Sequence, residues 1–445
     1  MDNGNMKLGK ESTNIHPIRP KPRIIPRAEH NISRNHINDS ALKVLYRLKS
    51  GGYDAYLVGG SVRDLLLGRE PKDFDVATNA HPEQIRELFR NSRLIGRRFR
   101  LAHVRYGREI IEVSTFRAQH SDANDDGHIV EGRIIRDNVY GCLEEDVWRR
   151  DFTVNALYYS IENFSVIDYV GGLNDIKAGH IRLIGDPAQR YIEDPVRMLR
   201  AVRFASKLGF RIDPEAEKPI FDLNTLLEEM PPARLFEEVI KLFSGGVALQ
   251  TFEQLRRFNL FGVLFPQTEE VLAEQEGGYP HTLLINALKN TDLRVSEDKP
   301  ITPGYLIAAL LWTPMINMAK AYMENGMSEL DAITLASDVV ISKQVTRTSM
   351  PRRFSQMARD IWQLQVRLKR TNGSRPIRLI QHPKFRAGYD FLLLRAATDG
   401  SDKQLAQWWT EFIAKQGPVQ SEVVTQPRSK RRRRNRHRTP KSSNT

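Results

Sequence analysis

The stretch LVGGSVRDLLLGREPKDFDVAT, residues 57–78, concentrates residue types that can do chemistry. Side chains alternate faces along a strand, so Asp73 and Asp75 are expected on one side, with Phe74 and Val76 turned to a core. Two adjacent carboxylates raise one another's pKa unless a cation sits between them. Upstream, Gly59 and Gly60 make a turn that opens a helix, with Ser61 able to cap it. Backbone N–H groups at such a turn attract phosphate. A phosphate cradle followed by a same-face Asp pair predicts Mg²⁺-assisted chemistry on a nucleoside triphosphate. Alone, a Gly-Gly turn or an Asp-x-Asp fits an ordinary loop or a solvated strand face; their succession carries the prediction.

Further candidates lie downstream. Glu112 sits among Ile110, Ile111 and Val113, an unusual choice for a strand. Placed beside the aspartates it would supply a third oxygen ligand; otherwise it is a carboxylate on an exposed strand face. Asp122, Asp125 and Asp126 fall in a polar loop at residues 117–132 whose spacing does not match a calcium-binding hand. Arg149, Arg150 and Asp151 stand together before an apolar stretch that contains Asn155, and such a cluster also suits a surface ion-pair group. Asp194 and Arg197 are three apart on a helical pattern and share a face. A carboxylate with a guanidinium can read adenine through N6 and N1, or cytosine through N4 and N3. An i,i+3 surface salt bridge has the same spacing.

The elements that must position these groups follow from periodicity. Leu57-Val58 closes a buried strand, a helix runs from Ser61 to Leu67 with Gly68 as its stop, and a strand carries Asp73 to Val76. Before them, Asp39 or Ser40 caps a helix with Leu42, Leu45 and Leu48 on one face. After them come a helix at 82–89 and strands at 101–106 and 109–116, which together predict a mixed α/β head. A glycine turn follows Asp168, and Asp175 begins a short helical segment. From about residue 211 the pattern is helical, broken at Pro231-Pro232, Gly245-Gly246, Gly277-Gly278 and Pro303-Gly304. In segments 359–370 and 382–396, basic residues interleave with aromatics, as in phosphate contact plus base stacking or in plain amphipathic helices.

The 445 residues carry a formal net charge of +13, of which +4 falls on residues 1–36 and +9 on 428–445, leaving a neutral body. The first 37 residues are polar and without apolar period, so they are expected to be disordered. The tail PRSKRRRRNRHRTPKSSNT, with Arg431, Arg432, Arg433 and Arg434 at its centre, stays solvated until it meets a polyanion, for which RNA is the expected partner. No run of 18 apolar residues and no signal-peptide core is present, and Cys142 is the only cysteine. These features predict a cytoplasmic protein without a transmembrane segment or an intrachain disulfide.

LVGGSVRDLLLG with KDFDVAT resembles the signature of the class II nucleotidyltransferases, which include bacterial poly(A) polymerases and CCA-adding enzymes. RRDFTVNAL at 149–157 resembles a second motif of the same enzymes, and EDPVRMLRAVRFA at 193–205 their base-selecting motif. The likeness runs from about residue 38 to 415 and is strongest over 57–204. It implies a nucleotidyltransferase head at 38–185, a helical neck at 186–275, a helical body at 276–420 that holds RNA, and a disordered tail from 421. It also implies Asp73, Asp75 and Asp151 in catalysis, and two Mg²⁺ ions on Asp73, Asp75 and Glu112. Gly59, Gly60, Ser61, Arg63, Arg150, Asn155, Asp194 and Arg197 would bind ATP, and the 117–132 segment would be a loop that moves during the cycle. The expected reaction is adenylate addition to RNA 3′ ends by a monomer that works in mRNA processing and decay, with RNA-decay proteins as partners. KDFDVATNA with RRFRLAHV, HPKFRAGYDFLLLRA and the arginine tail favour the poly(A) branch. The alternatives are a CCA-adding tRNA nucleotidyltransferase and a non-catalytic RNA-binding protein of the same fold.

Overall fold

The computed structural model describes residues 21–96, 100–118, 129–130, 133–134, 139–274, 282–400 and 402–416. The expected 117–132 loop lies almost wholly outside the described residues, as do Arg431–Arg434 and the Gly277-Gly278 break.

An eight-stranded sheet forms the head. Its strands are β1 (Arg23–Ile25), β2 (Ala55–Val58), β3 (Asp75–Thr78), β4 (Ser92–Ile95), β5 (Leu101–Tyr106), β6 (Glu109–Thr115), β9 (Leu157–Ser160) and β10 (Val166–Asp168). The short pair β7 (Ile129–Val130) and β8 (Arg133–Ile134) stands apart. The order across the sheet is β1-β10-β9-β2-β3-β6-β5-β4. Every neighbouring pair is antiparallel except β3 and β6, which run parallel with Asp75 opposite Glu112.

Alternation along these strands divides the head. Leu57, Val76, Val113 and Tyr159 enter the main core, whereas Val58, Ala77 and Tyr158 face a smaller cluster with Phe116 and Val147. Asp75 shares the parity of Ala77 and so lies on the second face. Helices α1 (Asp39–Ser50), α2 (Gly60–Leu66), α3 (Pro82–Leu88), α4 (Leu143–Arg149) and α5 (Gly172–Ala178) flank the sheet. Asn38, rather than Asp39 or Ser40, caps α1, its side chain accepting from Ser40 N at 2.6 Å. Asp175 lies within α5 rather than at its start, its carboxylate accepting from Thr153 Oγ1 at 2.6 Å.

The segment 21–37 is ordered, against the expectation of disorder. Pro26 cannot donate to a ladder, but β1 is an edge strand, where a flanking proline is tolerated. Ile25, Ile32 and Ile37 are buried, each contributing about 1.5–3 kcal/mol by leaving water. Three isoleucines scattered among polar residues have no period to betray them.

The rest is helical: α6 (Pro187–Glu193), α7 (Val196–Leu208), α8 (Pro214–Leu223), α9 (Pro232–Phe243) and α10 (Ala248–Arg257) lead into further helices that end with Lys403–Gln416. One apolar cluster continues from Ile25 to Leu394 through head and helices, and a second surrounds Leu368, Phe385 and Trp409. The aromatics of 359–370 and 382–396 belong to these cores. Trp362, Phe385 and Tyr389 are buried, and Trp362 Nε1 donates to Ala308 O at 3.1 Å, so they are packing residues rather than stacking platforms. No helix among the described residues is long and apolar enough to cross a membrane.

Candidate active site

Strand β2 ends at Val58, and Gly59 turns the chain into α2 with φ of +76°, a region that favours glycine. A Cβ on Gly59 would lie 3.8 Å from Asp75 Oδ2 and 3.7 Å from Arg150 Nη1, so the bare turn lets three segments meet. Ser61 does not cap α2; its hydroxyl donates to Val58 O at 3.2 Å and locks the turn from behind.

The meeting point opens into a cavity of about 360 Å³ lined by Asp75, Glu112, Arg150, Asp151, Asp194 and Arg197, together with Arg200 and Arg234. Burial pushes the Asp75 carboxyl up to about 6, and the neighbouring Glu112 carboxylate adds to the rise. Glu112 is half exposed, with His103 Nε2 3.1 Å from its Oε1. β6 therefore does lie beside the Asp75 strand. Asp73 precedes β3, is exposed and borders a different cavity, while its charge adds to the rise of the Asp75 carboxyl. Strand alternation cannot fix its direction before the strand begins. No group of three His, Cys, Asp or Glu is placed to hold a metal ion among the described residues. The Asp75–Glu112 pair nonetheless suits a hard divalent cation, because its two oxygen donors repel each other without one.

Arg150 and Asp151 follow the end of α4 and take different partners. Arg150 Nε donates to Tyr158 OH at 2.7 Å, and its Nη2 donates to buried Asp146 at 2.9 Å. Asp151 accepts from Arg200 Nε at 2.7 Å and from Phe152 N at 2.9 Å. Burial alone would raise its pKa, but Arg200 outweighs burial and holds it down to about 2.

Asn155 and Arg63 are brought to each other rather than to the cavity. Arg63 Nη1 donates to Asn155 Oδ1 at 2.6 Å, its Nη2 to Asp64 at 2.6 Å, and its guanidinium lies 5.3 Å from the Phe204 ring. Arg63 is buried and tied up, so it props the turn instead of facing a ligand.

Asp194 and Arg197 do not bond through their side chains. Asp194 Oδ2 accepts from Arg234 Nη2 of α9 at 2.6 Å, while Oδ1 is buried with no hydrogen-bond partner among the described residues. Arg197 Nη1 donates to Glu193 at 2.8 Å and to Arg190 O at 2.7 Å. Each is aimed by a third group, with capacity left toward the cavity. Arg200, Arg234, Asp146 and Tyr158 escaped sequence reasoning. Only Arg200 had a local signal, its i,i+3 spacing from Arg197 on α7.

The family models for the poly(A) polymerase head domain, the probable RNA and SrmB-binding site of polymerase A, and the polymerase A arginine-rich C-terminus match residues 55–182, 209–272 and 325–442. Poly(A) polymerase I of Salmonella typhimurium is 50% identical over 439 residues, 96% of this chain and 94% of that protein. A CCA-adding enzyme of Lactobacillus helveticus is 40% identical over 215 residues, covering 48% of this chain and 52% of its own. The structure of the Bacillus stearothermophilus CCA-adding enzyme in complex with CTP superposes with a TM-score of 0.55 at 27% identity, covering 84% of this chain and 82% of that one. With 96% of the chain matched and Asp75, Glu112, Arg150, Asp151, Asp194 and Arg197 around one cavity, the chain belongs to the poly(A) polymerase family of class II nucleotidyltransferases.

Proposed function

We propose that the protein is a polynucleotide adenylyltransferase that adds AMP from ATP to RNA 3′ ends and releases pyrophosphate. The observation that carries this reading is one cavity joining Asp75 and Glu112 to the Asp194–Arg197 pair and to a rim of arginines. A nucleotide there would place its base against Asp194 and Arg197, with Asp194 Oδ1 accepting from an exocyclic amine and Arg197 donating to a ring nitrogen. Arg150, pinned by Asp146 and Tyr158, faces the triphosphate from under the Gly59 turn. Asp151 orients Arg200, and Asn155 with Arg63 supports the turn. Asp75 and Glu112 would hold a divalent cation, and Asp73 would act from the neighbouring rim. A bound divalent cation supplies charge stabilisation at the triphosphate and acidifies the attacking hydroxyl. The 3′-hydroxyl oxygen bonds to the α-phosphorus as the bond to the β-phosphate oxygen breaks, and the hydroxyl proton leaves to solvent. Positioning and charge do the catalysis, so Cys142 has no role.

Adenylate rather than CCA addition is favoured by the full-length likeness to poly(A) polymerases, against a half-length likeness to the CCA-adding enzyme. A cytoplasmic location suits an ATP-dependent enzyme with a single cysteine. The test offers the purified protein each nucleotide with unstructured RNA and with a tRNA lacking its CCA end. Long tails from ATP alone, and a loss of several orders of magnitude in Asp75→Asn with folding unchanged, are expected. Clean arrest at CCA on tRNA with unextended RNA would overturn the reading.

A further inference from the structure

The cavity asks two things of a nucleotide at once. Its base must fit Asp194 and Arg197, and its triphosphate must lie against Arg150. These residues belong to different segments, and one side chain ties the segments together. Arg190, in the last turn of α6, is not itself a lining residue of the cavity. Its guanidinium reaches the end of α4, where Nη2 donates to Arg150 O at 2.6 Å and to Arg149 O at 3.2 Å. The last carbonyls of a helix lack partners within it, and a cation there also meets the negative end of the helix dipole. Burial, and after it the neighbouring Arg197, pull the Arg190 pKa down to about 10, so the group is still a cation at neutral pH.

The same residue holds both members of the pair that would read the base. Its carbonyl accepts from Asp194 N at 3.3 Å and from Arg197 Nη1 at 2.7 Å. Its Nη1 donates to Glu193 Oε2 at 2.7 Å, and Arg197 Nη1 donates to that same oxygen at 2.8 Å. Arg197 is thus fixed to Arg190 directly and again through Glu193. Asp146 and Tyr158 hold the Arg150 guanidinium within the head, and Arg190 adds the tie to the base side.

We propose that Arg190 is a positioning residue that couples base recognition to placement of the triphosphate, an assignment that rests on the nucleotidyl-transfer reading. A base that engages Arg197 steadies Glu193 and the Arg190 main chain, and the Arg190 guanidinium carries that order to the backbone of Arg149 and Arg150. Its planar fork serves one carboxylate and two carbonyls in a fixed geometry that an ammonium lacks. Such coupling is reciprocal: what base binding adds to phosphate affinity, phosphate binding adds to base affinity. A plain structural cap on α4 would stabilise the fold without linking the two halves of the ligand.

The experiment divides the ligand and measures binding to the full chain by calorimetry, with Mg²⁺ present throughout. The probes are 5′-deoxyadenosine, which leaves room at its 5′ carbon, and inorganic tripolyphosphate, each alone and each with the other. In the wild-type protein each is expected to tighten the other's Kd about tenfold. Arg190→Met keeps the stem and removes the charged head group; it should abolish the mutual enhancement while each probe alone binds nearly as before. Arg190→Lys repeats the test should the methionine variant unfold, and is expected to keep only part of the enhancement. Enhancement undiminished in either folded variant, even with a lowered melting temperature, would make Arg190 a structural cap and overturn the proposal. So would probes that bind the wild type independently, or a methionine variant that loses tripolyphosphate binding alone. Failure of the wild type to bind either probe would instead remove the nucleotide reading on which the proposal rests.

Discussion

Asp151 shows burial and an ion pair pulling one carboxylate in opposite directions. Its carboxylate is buried and stays charged because Arg200 faces it, so its folded pKa of about 2 lies below the ordinary 3.8. A depressed carboxyl pKa adds stability that is fully present above about pH 4 and lost as the pH falls through 2. The difference corresponds to about 2 kcal/mol. Asp151→Asn should therefore lower stability at neutral pH while flattening its decline between pH 4 and 2, followed by chemical denaturation at each pH. An unchanged slope in that window would show that Asp151 titrates alike in both states. Asp75 is the opposite case, buried beside Glu112 and pushed up to about 6. The fold sets Arg200 against one carboxylate and leaves the other only partly offset, by Arg150.

At the scale of elements, α9 holds one member of the pair proposed to read the base. Asp194 ends α6, Arg197 opens α7, and Arg234 reaches across from α9 to the Asp194 carboxylate. Arg234→Ala should free that carboxylate to turn between two hydrogen-bonding positions, relaxing ATP preference over CTP by about tenfold or more. Steady-state kinetics with each nucleotide reads this out, with Arg234→Lys restoring most of the preference. Retained discrimination in the alanine variant would place selectivity elsewhere.

This element also marks where the sequence stops being legible. The glycine turn and the strand periods could be read because each is written within a few residues, and Glu112 stood out because it interrupts its own apolar run, although its place opposite Asp75 could be stated only as a condition. The partner of Asp194 lies forty positions on, and nothing local marks Arg234 among many arginines. The N-terminal strand escaped for a related reason: its three residues gain their place from β10, far along the chain. The aromatics at 362, 385 and 389 misled because a ring beside arginines looks alike in a core and on a platform.

Across the whole molecule, charge is separated from chemistry. The body is neutral, and the +13 resides in the two ends, +9 of it on residues 428–445. A body that is neutral over residues 37–427 gives RNA little attraction at a distance, so long-range attraction is expected to fall to the tail. Such attraction is blind to sequence and weakens with salt as counterions are retained. Each single-strand phosphate neutralised contributes about 0.7 to the slope of log affinity on log salt. Removing residues 428–445 should thus flatten that slope by a few units and weaken all single-stranded RNAs alike, while KM for ATP holds. Binding titrations of an unstructured RNA across a salt series, on the full and truncated proteins, read this out. A truncated protein with an unchanged slope would show that the arginine tail serves a partner other than RNA.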